Sequence, residues 1–370
     1  MARALFFWSP QFCRYDLGPY HPLKPQRLEL THSLISAHGL LDRADVACVA
    51  PVPASEDDLL MVHSRDYVEV IRALDKGIEA ANLFAFGLGT GDNPAFEGMY
   101  EASLLYSGAS LQAAQAVFRG EAEVAFNIAG GLHHAHRSRA AGFCIFNDPA
   151  AAIAWILKES GGDAKIVYLD IDAHHGDGVQ EAFYDNPRVL TISMHESGRT
   201  LFPGTGFVEE MGAGDGKGFS VNLPLAPFTD DETYLRAFGE IVPPLVEAFA
   251  PDFLVSQLGV DGHFLDPLTH LCLTTVTYEK VFEQIRALAG ARWIALGGGG
   301  YSLEAVPRVW TLAWAKMLGE TLADKLPGRE GNLRDRESPS LGADEVRLAR
   351  EFAARSVEEI RRLIFPYYQL

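Results

Sequence analysis

Short apolar runs recur along this 370-residue chain, and most of them are continuous rather than alternating with polar residues. A continuous run of strand length is typical of a parallel strand that is covered on both faces. The runs span residues 5–8, 124–128, 166–171, 189–193, 219–223, 253–258 and 293–296. The pattern predicts strands at these positions.

Helical periodicity fills much of the chain between these runs, over residues 97–118, 149–158, 231–248, 278–289 and 343–364. Asp148 is the expected cap of the second helix, because Pro149 suits the first helical position. Strands that alternate with helices form βαβ units, so we expect an α/β fold with an open, mostly parallel sheet flanked by helices. Two long glycine-rich loops, 81–96 and 196–218, are expected over the carboxyl edge of the sheet. Without a linker or a repeat, residues 1–370 are interpreted as one domain.

Residues 169–178 read Leu-Asp-Ile-Asp-Ala-His-His-Gly-Asp-Gly, at the end of one of these apolar runs. Alternate residues of an extended chain point the same way, so Asp170, Asp172 and His174 share one face and His175 points away. Open α/β sheets bind ligands at the carboxyl edge, and Asp and His are ligands of catalytic divalent metals. A plain surface turn needs Gly, Asn or Asp, not two histidines beside three carboxylates. The segment therefore predicts a metal-binding strand end.

Four further polar or glycine-rich clusters end strands or fill the loops that follow them, at residues 130–136, 142–148, 259–263 and 297–301. Clusters at the ends of different parallel strands converge in space. Asp261, from the third cluster, would join Asp172 and His174 as an oxygen, nitrogen and oxygen ligand set. Three protein ligands leave a position open for water and substrate, which is the arrangement of a catalytic metal.

Three other side chains in these clusters are candidates for the chemistry. The tandem His133 and His134 could transfer protons if Asp170 and Asp177 orient them. Tyr301 follows four glycines, and its hydroxyl could donate to a developing oxyanion. Taken alone, His133 and His134 are equally consistent with a buried hydrogen-bonded pair that has no catalytic role. Asp261 alone is consistent with an ordinary helix cap or turn residue. Their joint occurrence favours the catalytic interpretation.

The composition bears on the class of partner and on the compartment. The net charge of -18 argues against direct binding of nucleic acid. The four cysteines include no Cys-x-x-Cys pair, which disfavours a thiolate zinc site. So few cysteines in a long chain favour a reducing compartment over a disulfide scaffold. No apolar run approaches the roughly 20 residues that span a bilayer, and the N-terminal apolar segment is too short for a signal peptide. We expect a cytoplasmic protein without a membrane partner, and the oligomeric state stays open.

The order of the motifs resembles the histone deacetylase superfamily over about residues 20–301. The motifs are His133-His134, Gly-Phe-Cys-x-x-Asn-Asp at 142–148, Asp-x-Asp-x-His-His-Gly-Asp-Gly at 170–178, Phe-Pro-Gly-Thr-Gly at 202–206, Gly-x-Asp at 259–261 and Gly-Gly-Gly-Gly-Tyr at 297–301. An early segment with Tyr20, His21, Pro22, Pro25 and Arg27 resembles the bacterial branch called acetoin utilization proteins. The resemblance implies the arginase/deacetylase fold and the metal-dependent hydrolysis of an N-acetyl amide, with release of acetate.

The resemblance also implies a role for each site residue. Zinc would bind Asp172, His174 and Asp261. His134, oriented by Asp177, would be the general base and then acid, and His133, paired with Asp170, mainly an electrostatic partner. Tyr301 would stabilise the oxyanion. Substrate contacts would come from Gly142, Phe143 and Phe202 along a tunnel for the acyl-lysine stem, Leu268 near its mouth, Asp92 at its rim and Arg27 near an internal acetate channel.

Two sites for potassium or sodium are implied as well. Asp170, Asp172, His174, Ser193 and Met194 would form the first through side chains and carbonyl oxygens. Phe183, Asn186, Val189 and Phe219 would line the second mainly through carbonyl oxygens. The chain departs from the family pattern at His263 and Leu201, which we expect near the tunnel mouth, so the preferred substrate stays open.

Several alternatives remain. The substrate could be acetyl-lysine in a protein or a small N-acetyl-amine such as an acetylpolyamine, and ferrous iron accepts the same ligands as zinc. An arginase-like ureohydrolase would hold two manganese ions, but Gly176 and His263 stand where carboxylates for a second metal would be expected. A catalytically inactive binding homologue is a further alternative, and the intact set of candidate residues argues against it.

Overall fold

The computed structural model of the chain describes residues 3–78, 82–328 and 330–370. Its centre is a sheet of eight strands, which are β1 (Ala4–Phe7), β2 (Val46–Val49), β3 (Val124–Asn127), β4 (Ile166–Asp170), β5 (Val189–Glu196), β6 (Ser220–Leu225), β7 (Phe253–Gln257) and β8 (Trp293–Leu296). The strands lie in the order β2-β1-β3-β8-β7-β4-β5-β6, and every neighbouring pair is parallel. The expected α/β fold with one parallel sheet is therefore confirmed.

Helices cover the sheet. They are α1 (Gln26–Ala37), α2 (Glu56–Leu59), α3 (Arg65–Asp75), α4 (Met99–Phe118), α5 (Asp148–Glu159), α6 (Asp177–Ala182), α7 (Asp231–Phe249), α8 (Thr275–Ala289), α9 (Ala305–Leu318) and α10 (Ala343–Leu363). Helix α4 packs on α5, whereas α1, α9, α8, α7 and α10 form a continuous series of packed neighbours. Within the described ranges, no helix has both the length and the apolar character needed to cross a membrane.

Each apolar run identified in the sequence forms a strand, with small differences at its ends. Every residue of β3, β4, β5, β7 and β8 is buried, which explains why these strands read as continuous apolar runs. Strand β2 was not predicted. It lies at the edge of the sheet with its four residues half-buried or exposed, so it lacks that signal.

The five predicted helices are present, with small differences at their ends. Helices α1, α2, α3, α6 and α9 were not predicted. Helix α9 is buried along its whole length, so it has no polar face to reveal its period. The expected cap of α5 was wrong by one residue. Asn147 caps this helix, because its side-chain oxygen accepts the N–H of Ala150 at 2.9 Å.

Asp148 does not cap the helix, and its side chain binds the loop that precedes the histidine pair. Its carboxylate accepts the N–H of Gly131 at 3.0 Å and the N–H of Leu132 at 2.9 Å. The two long loops contain short 3-10 helices, Leu83–Phe86 and Gly214–Gly216. Residue 81 of the first predicted loop lies outside the described residues.

The four central strands bring the candidate site together. Their last residues are in register: Asn127 in β3 pairs with Leu296 in β8, which pairs with Gln257 in β7, which pairs with Asp170 in β4. Each of these strands is followed by one of the polar or glycine-rich clusters. The parallel arrangement therefore places all of these clusters at one edge of the sheet.

Candidate metal centre

Three buried side chains at this edge face one another. Asp172 and His174 follow β4 and Asp261 follows β7, and each offers a ligand atom within 4.8 Å of the other two. The Nδ1 atom of His174 lies 2.8 Å from Oδ2 of Asp261 and 3.1 Å from Oδ1 of Asp172. The sequence-predicted ligand set therefore converges through these three atoms.

Neighbouring donors hold the other oxygens of the two carboxylates. Oδ2 of Asp172 accepts the Gln257 side-chain amide at 2.6 Å and the N–H of Gly299 at 2.7 Å. Oδ1 of Asp261 accepts the N–H of Ala173 at 2.7 Å. Sequence reasoning missed Gln257, although a buried glutamine that ends an apolar strand is a recognisable signal. These bonds fix the orientation of the carboxylates before any ion binds.

The charge of the cluster suits a divalent cation. Burial and the neighbouring Asp172 carboxylate raise the pKa of Asp261. Burial opposes protonation of His174, but the two carboxylates outweigh it and raise its pKa well above the usual range. Two carboxylate oxygens and one imidazole nitrogen are ligands that zinc accepts, and three such ligands leave a catalytic position open. The residues present therefore fit a single divalent metal.

Each histidine of the tandem pair contacts its own aspartate. Nδ1 of His133 lies 2.7 Å from Oδ2 of Asp170, and Nδ1 of His134 lies 2.7 Å from Oδ1 of Asp177. Both imidazoles are buried. Oδ2 of Asp170 also accepts the hydroxyl of Tyr168 at 2.8 Å. The structure brings together the two histidine–aspartate pairs that the sequence suggested.

The two imidazoles differ in basicity. Burial disfavours the charged form of both, but Asp170 and Asp172 outweigh this at His133 and raise its pKa to about 9. At His134, burial and the positive charge of His133 lower the pKa to about 4, despite the contact with Asp177. His134 is thus held as a neutral imidazole that can accept a proton.

Tyr301 closes the site from the β8 side. Its backbone N–H donates to Oδ2 of Asp266 at 2.8 Å, an anchor that the sequence did not reveal. Burial, followed by the charges of Asp261 and Asp172, raises the pKa of Tyr301 well above its usual value, so the phenol stays protonated. A cavity bounded by Tyr301, His133, His134, Asp172 and other residues connects these groups.

Arg27 lies beneath this cavity. Its Nη1 atom donates to the carbonyl oxygens of Gly298 at 2.7 Å and Gly300 at 2.9 Å, and its guanidinium stacks 5.2 Å from the centroid of Trp310. The residue lines both the cavity of the site and a second cavity further from the metal ligands. Arg27 is thus an interior residue that borders both cavities, and its place at an acetate channel stays a prediction.

The two aromatic residues predicted to line a tunnel lie beside the catalytic candidates. The ring of Phe202 lies 5.0 Å from that of His134, and the ring of Phe143 lies 5.7 Å from that of Tyr301. Gly142 has a φ of +49°, and a Cβ atom there would lie 2.3 Å from the ring of His134. Only glycine allows the backbone to approach the histidine so closely.

The predicted rim residues lie further out. Asp92 is exposed, and its carbonyl oxygen contacts Nε2 of His21 at 3.3 Å. His21 in turn packs against the ring of Phe143 at 4.4 Å. Leu268 is half-buried, and its N–H donates to Asp266, the residue that anchors Tyr301. Asp92 is therefore linked to Phe143, and Leu268 to Tyr301, through one intermediate residue each.

His263 was expected near the tunnel mouth, and that expectation is wrong. The residue is buried, and its Nε2 atom lies 2.9 Å from Oδ2 of Asp335. Asp335 also binds the guanidinium of Arg308, so His263 belongs to an internal link with the C-terminal region. Leu201, the other departure, is half-buried beside Phe202.

His175 points away from the metal ligands, as alternation along the strand suggested. It contacts the hydroxyl of Thr205 at 2.8 Å and the side chain of Gln180 at 3.2 Å. Steric crowding explains why residue 176 is a glycine. A Cβ atom there would lie 2.3 Å from Oδ2 of Asp170. The backbone therefore has no room for the second-metal carboxylate of an arginase-like site.

The residues suggested for monovalent cations are also neighbours. In the first group, Asp170 pairs with Ser193 across strands β4 and β5, and Met194 follows Ser193. Asp172 and His174, the other members of this group, follow Asp170 along the chain. For the second group, the N–H of Asn186 donates to the carbonyl of Phe183, and the N–H of Val189 donates to that of Asn186. The carbonyl of Phe219 accepts the N–H of Thr191 in β5, close to these residues.

Comparison with known proteins identifies the family. A model of the histone deacetylase domain matches residues 21–317. The chain belongs to the histone deacetylase family. Members of this family hydrolyse amide bonds, so the expected metal-dependent deacetylase chemistry and enzyme class are confirmed at that level.

Relatives within the histone deacetylase family cover almost the whole chain. Acetoin utilization protein AcuC of Bacillus subtilis (strain 168) is 44% identical over 333 residues, which are 88% of this chain and 85% of AcuC. The crystal structure of an HDAC homolog from Aquifex aeolicus superposes with a TM-score of 0.84 at 31% identity and covers 96% of this chain and 100% of that one. An HDAC homolog complexed with SAHA gives a TM-score of 0.85 at 32% identity, with the same coverage. The resemblance to the bacterial acetoin utilization branch is thus confirmed.

Proposed function

We propose that this protein is a zinc-dependent lysine deacetylase, which hydrolyses the acetyl amide of acetyl-lysine in protein substrates to lysine and acetate. One observation carries the proposal: a buried Asp-His-Asp ligand set lies beside two histidine–aspartate pairs, and Asp172, His133 and His134 line the same cavity. The ligand set provides for a metal and the pairs provide for proton transfer. Hydrolysis of an amide needs both functions.

Asp172, His174 and Asp261 hold the metal in this proposal. When bound, the metal supplies Lewis-acid polarisation of the acetyl carbonyl and lowers the pKa of water. The same ligands accept ferrous iron, so zinc is proposed from the family and from the nitrogen and oxygen donor set.

His134 moves the proton. Asp177 accepts a hydrogen bond from Nδ1–H of His134, which leaves Nε2 as the basic atom. Nε2 takes a proton from the attacking water and later gives it to the amine nitrogen as the C–N bond breaks. The lowered pKa of His134 supports this role, because the imidazole is unprotonated at neutral pH before the reaction.

His133 contributes charge rather than proton transfer. Its contact with buried Asp170 and its raised pKa favour a stable imidazolium. A fixed positive charge beside the reacting carbonyl stabilises the negative charge that develops there. The assignment of different roles to adjacent histidines rests on their different carboxylate partners.

Tyr301 donates its hydroxyl to the oxyanion that forms from the acetyl carbonyl. Its raised pKa keeps the hydroxyl protonated, and the Asp266 anchor fixes its backbone. Such preorganised donors act strongly in a buried site.

The entrance aromatics sort substrates by shape. Phe143 and Phe202, with Gly142 between His134 and Phe202, suit a narrow apolar stem such as the methylenes of lysine. Asp92 and Leu268 are proposed to contact the parts of the substrate outside the tunnel, and Arg27 to line the internal channel for acetate. Potassium or sodium is proposed at the two groups of neighbouring carbonyl and side-chain oxygens, one around Asp170 and Ser193 and the other around Phe183 and Val189.

The proposed setting follows from the same features. Acetylated proteins of the cytoplasm are the proposed substrates, and the four cysteines are all free thiols, which suits a reducing compartment. Residues 1–370 are proposed to act as one catalytic domain. We also propose that SAHA, the ligand of the solved HDAC homolog, binds this site.

The decisive test is release of acetate by the purified protein from acetyl-lysine peptides and, in parallel, from small N-acetyl-amines. The assay includes potassium and is run with zinc and with ferrous iron. We expect turnover of peptides that SAHA inhibits, and a matched Tyr301→Phe variant that binds metal with little turnover. Absence of turnover with both metals and both substrate classes would contradict the proposal, and turnover of the small amines alone would replace its substrate.

A further inference from the structure

A third histidine lies against the site and has no role in the proposed chemistry so far. His136 is buried, two residues beyond His134 on the same loop. Its Nε2 atom lies 3.3 Å from Oδ2 of Asp177, the carboxylate whose other oxygen contacts His134. The two histidines therefore face opposite oxygens of one aspartate.

The other contacts of Asp177 leave this oxygen to His136. Oδ1 of Asp177 receives Nδ1 of His134 and also the N–H of Gly178 at 3.0 Å. Within the described parts of the chain, His136 provides the nitrogen that contacts Oδ2 of Asp177. A carboxylate held at both oxygens cannot rotate about its Cβ–Cγ bond without losing a contact.

His136 is itself held firmly. Its N–H donates to the carbonyl of Arg139 at 2.9 Å, and its carbonyl accepts Nδ1–H of His63 at 3.0 Å. The ring faces a carboxylate at each nitrogen, so Nδ1–H donates to Glu181 and Nε2–H faces Asp177. The guanidinium of Arg139, 3.1 Å from Nε2, is then a like-charge neighbour and not a hydrogen-bond partner of the ring. Glu181 is more than half exposed, whereas His136 is not. The imidazole is thus a buried connection between the catalytic aspartate and a surface carboxylate.

We propose that His136 is a positioning residue that acts on His134 through Asp177. By holding Oδ2, it keeps Oδ1 directed at Nδ1 of His134, so that the basic Nε2 atom stays in the orientation needed for proton transfer. The inference rests on the proposed deacetylase function, because it concerns the efficiency of that reaction. Charged groups that face His136 are Asp177 and Glu181, which favour its protonation, and Arg139, which opposes it.

Three variants test the proposal with the metal-loaded protein and an acetyl-lysine peptide. His136→Phe keeps a planar ring but removes both nitrogens, and we expect kcat to fall roughly tenfold with KM and metal content unchanged, as for other residues that orient a site group. His136→Gln keeps an amide donor for Oδ2 and should recover most of kcat. Ser138→Ala, on the same turn and exposed, is the matched control and should behave as the unaltered protein.

A double-mutant cycle separates positioning from a general effect on folding. If His136 acts through Asp177, adding His136→Phe to Asp177→Asn should lower kcat no further, because the two residues share one function. Full additivity of the two losses, an unchanged kcat in His136→Phe, or a loss confined to KM would each overturn the proposal.

A spectroscopic measurement keeps the inference testable apart from activity. The Nδ1 proton of His134, hydrogen-bonded to a buried carboxylate, should give a protected low-field NMR signal in the unaltered protein. We expect this signal to broaden through exchange with water in His136→Phe and to return in His136→Gln. An unchanged signal in His136→Phe would contradict the inference even if no substrate were turned over. A lack of turnover with the expected change in this signal would instead contradict the deacetylase function alone.

Discussion

The Nε2 atoms of His133 and His134 lie 3.0 Å apart, although their Nδ1 atoms bind different aspartates. At this distance the two Nε2 atoms cannot both carry a proton, so a single Nε2 proton is present on the pair. The shifts in basicity assign that proton to His133. Two adjacent residues of the same type thus acquire different roles from their partners.

Removal of His134 tests the base assignment. In His134→Ala, kcat should fall about 10²–10⁴-fold, the usual contribution of a general acid–base group. Metal content should stay close to that of the unaltered protein, since His134 is not one of the proposed metal ligands. Steady-state kinetics with an acetyl-lysine peptide measure the effect, and a variant with nearly normal kcat would remove His134 from the mechanism.

Removal of one oxygen atom tests the oxyanion donor. Tyr301→Phe should lower kcat about 10²–10³-fold, because the donor is lost where negative charge develops. Tyr368→Phe is a suitable control, because its hydroxyl bonds to the carbonyl of Gly218 far along the chain. If both variants lost activity equally, the effect of Tyr301→Phe would have to be assigned to stability.

Addition of one methyl group tests the steric role of Gly176. The new Cβ of Gly176→Ala would lie 2.3 Å from Oδ2 of Asp170, the atom that holds His133. We expect a loss of roughly 1–3 kcal/mol in the free energy of unfolding, as for other overpacked positions, together with reduced turnover. Gly239→Ala, exposed on α7 with open space around its Cβ, should be neutral or slightly stabilising. Normal stability and turnover in Gly176→Ala would show that the site tolerates a side chain there.

Acid stability should depend on His63. Its Nδ1–H donates to the carbonyl of His136, its Nε2 accepts the N–H of Asn147, and burial lowers its pKa to about 4. The pKa of His63 is lower in the folded state than its ordinary value of 6.5 in the unfolded state. The contribution of neutral His63 to the free energy of unfolding is therefore complete above pH 6.5 and is lost as the pH falls through 4. The loss attributable to His63 is about 3 kcal/mol across this window.

Urea unfolding at a series of pH values measures this dependence. The free energy of unfolding of His63→Gln should decrease less steeply between pH 6.5 and pH 4 than that of the unaltered protein, whatever its absolute stability. His175 and His195 also have lowered pKa values, so the unaltered curve alone cannot assign the effect. Identical slopes for the two proteins would exclude His63 as a titrating group.

The sequence revealed the site better than it revealed the supports of the site. Asp172, His174 and Asp261 were recognisable because acidic residues and histidines after buried strands are rare without a function. Gln257 and Asp266, which hold Asp172 and Tyr301, were missed because their partners are distant in sequence and known only from the fold.

The same limit explains the errors in the fold. Helix α9 is buried on all sides, so its sequence lacks the alternation of apolar and polar faces that identifies a surface helix. Strand β2 is partly exposed, so it lacks the continuous apolar run of the buried strands. His263 looked like a mouth residue from its spacing after Asp261. Only the tertiary contact with Asp335 reveals that it faces the interior.

The central claim is that one metal ion, held by Asp172, His174 and Asp261, supports deacetylation. The most direct measurement is titration of metal-free protein with zinc while acetate release from an acetyl-lysine peptide is followed. We expect activity to rise to a plateau at one ion per chain, and we expect Asp261→Ala neither to retain stoichiometric zinc nor to become active. A plateau at two ions per chain, or an active Asp261→Ala with stoichiometric zinc, would contradict it.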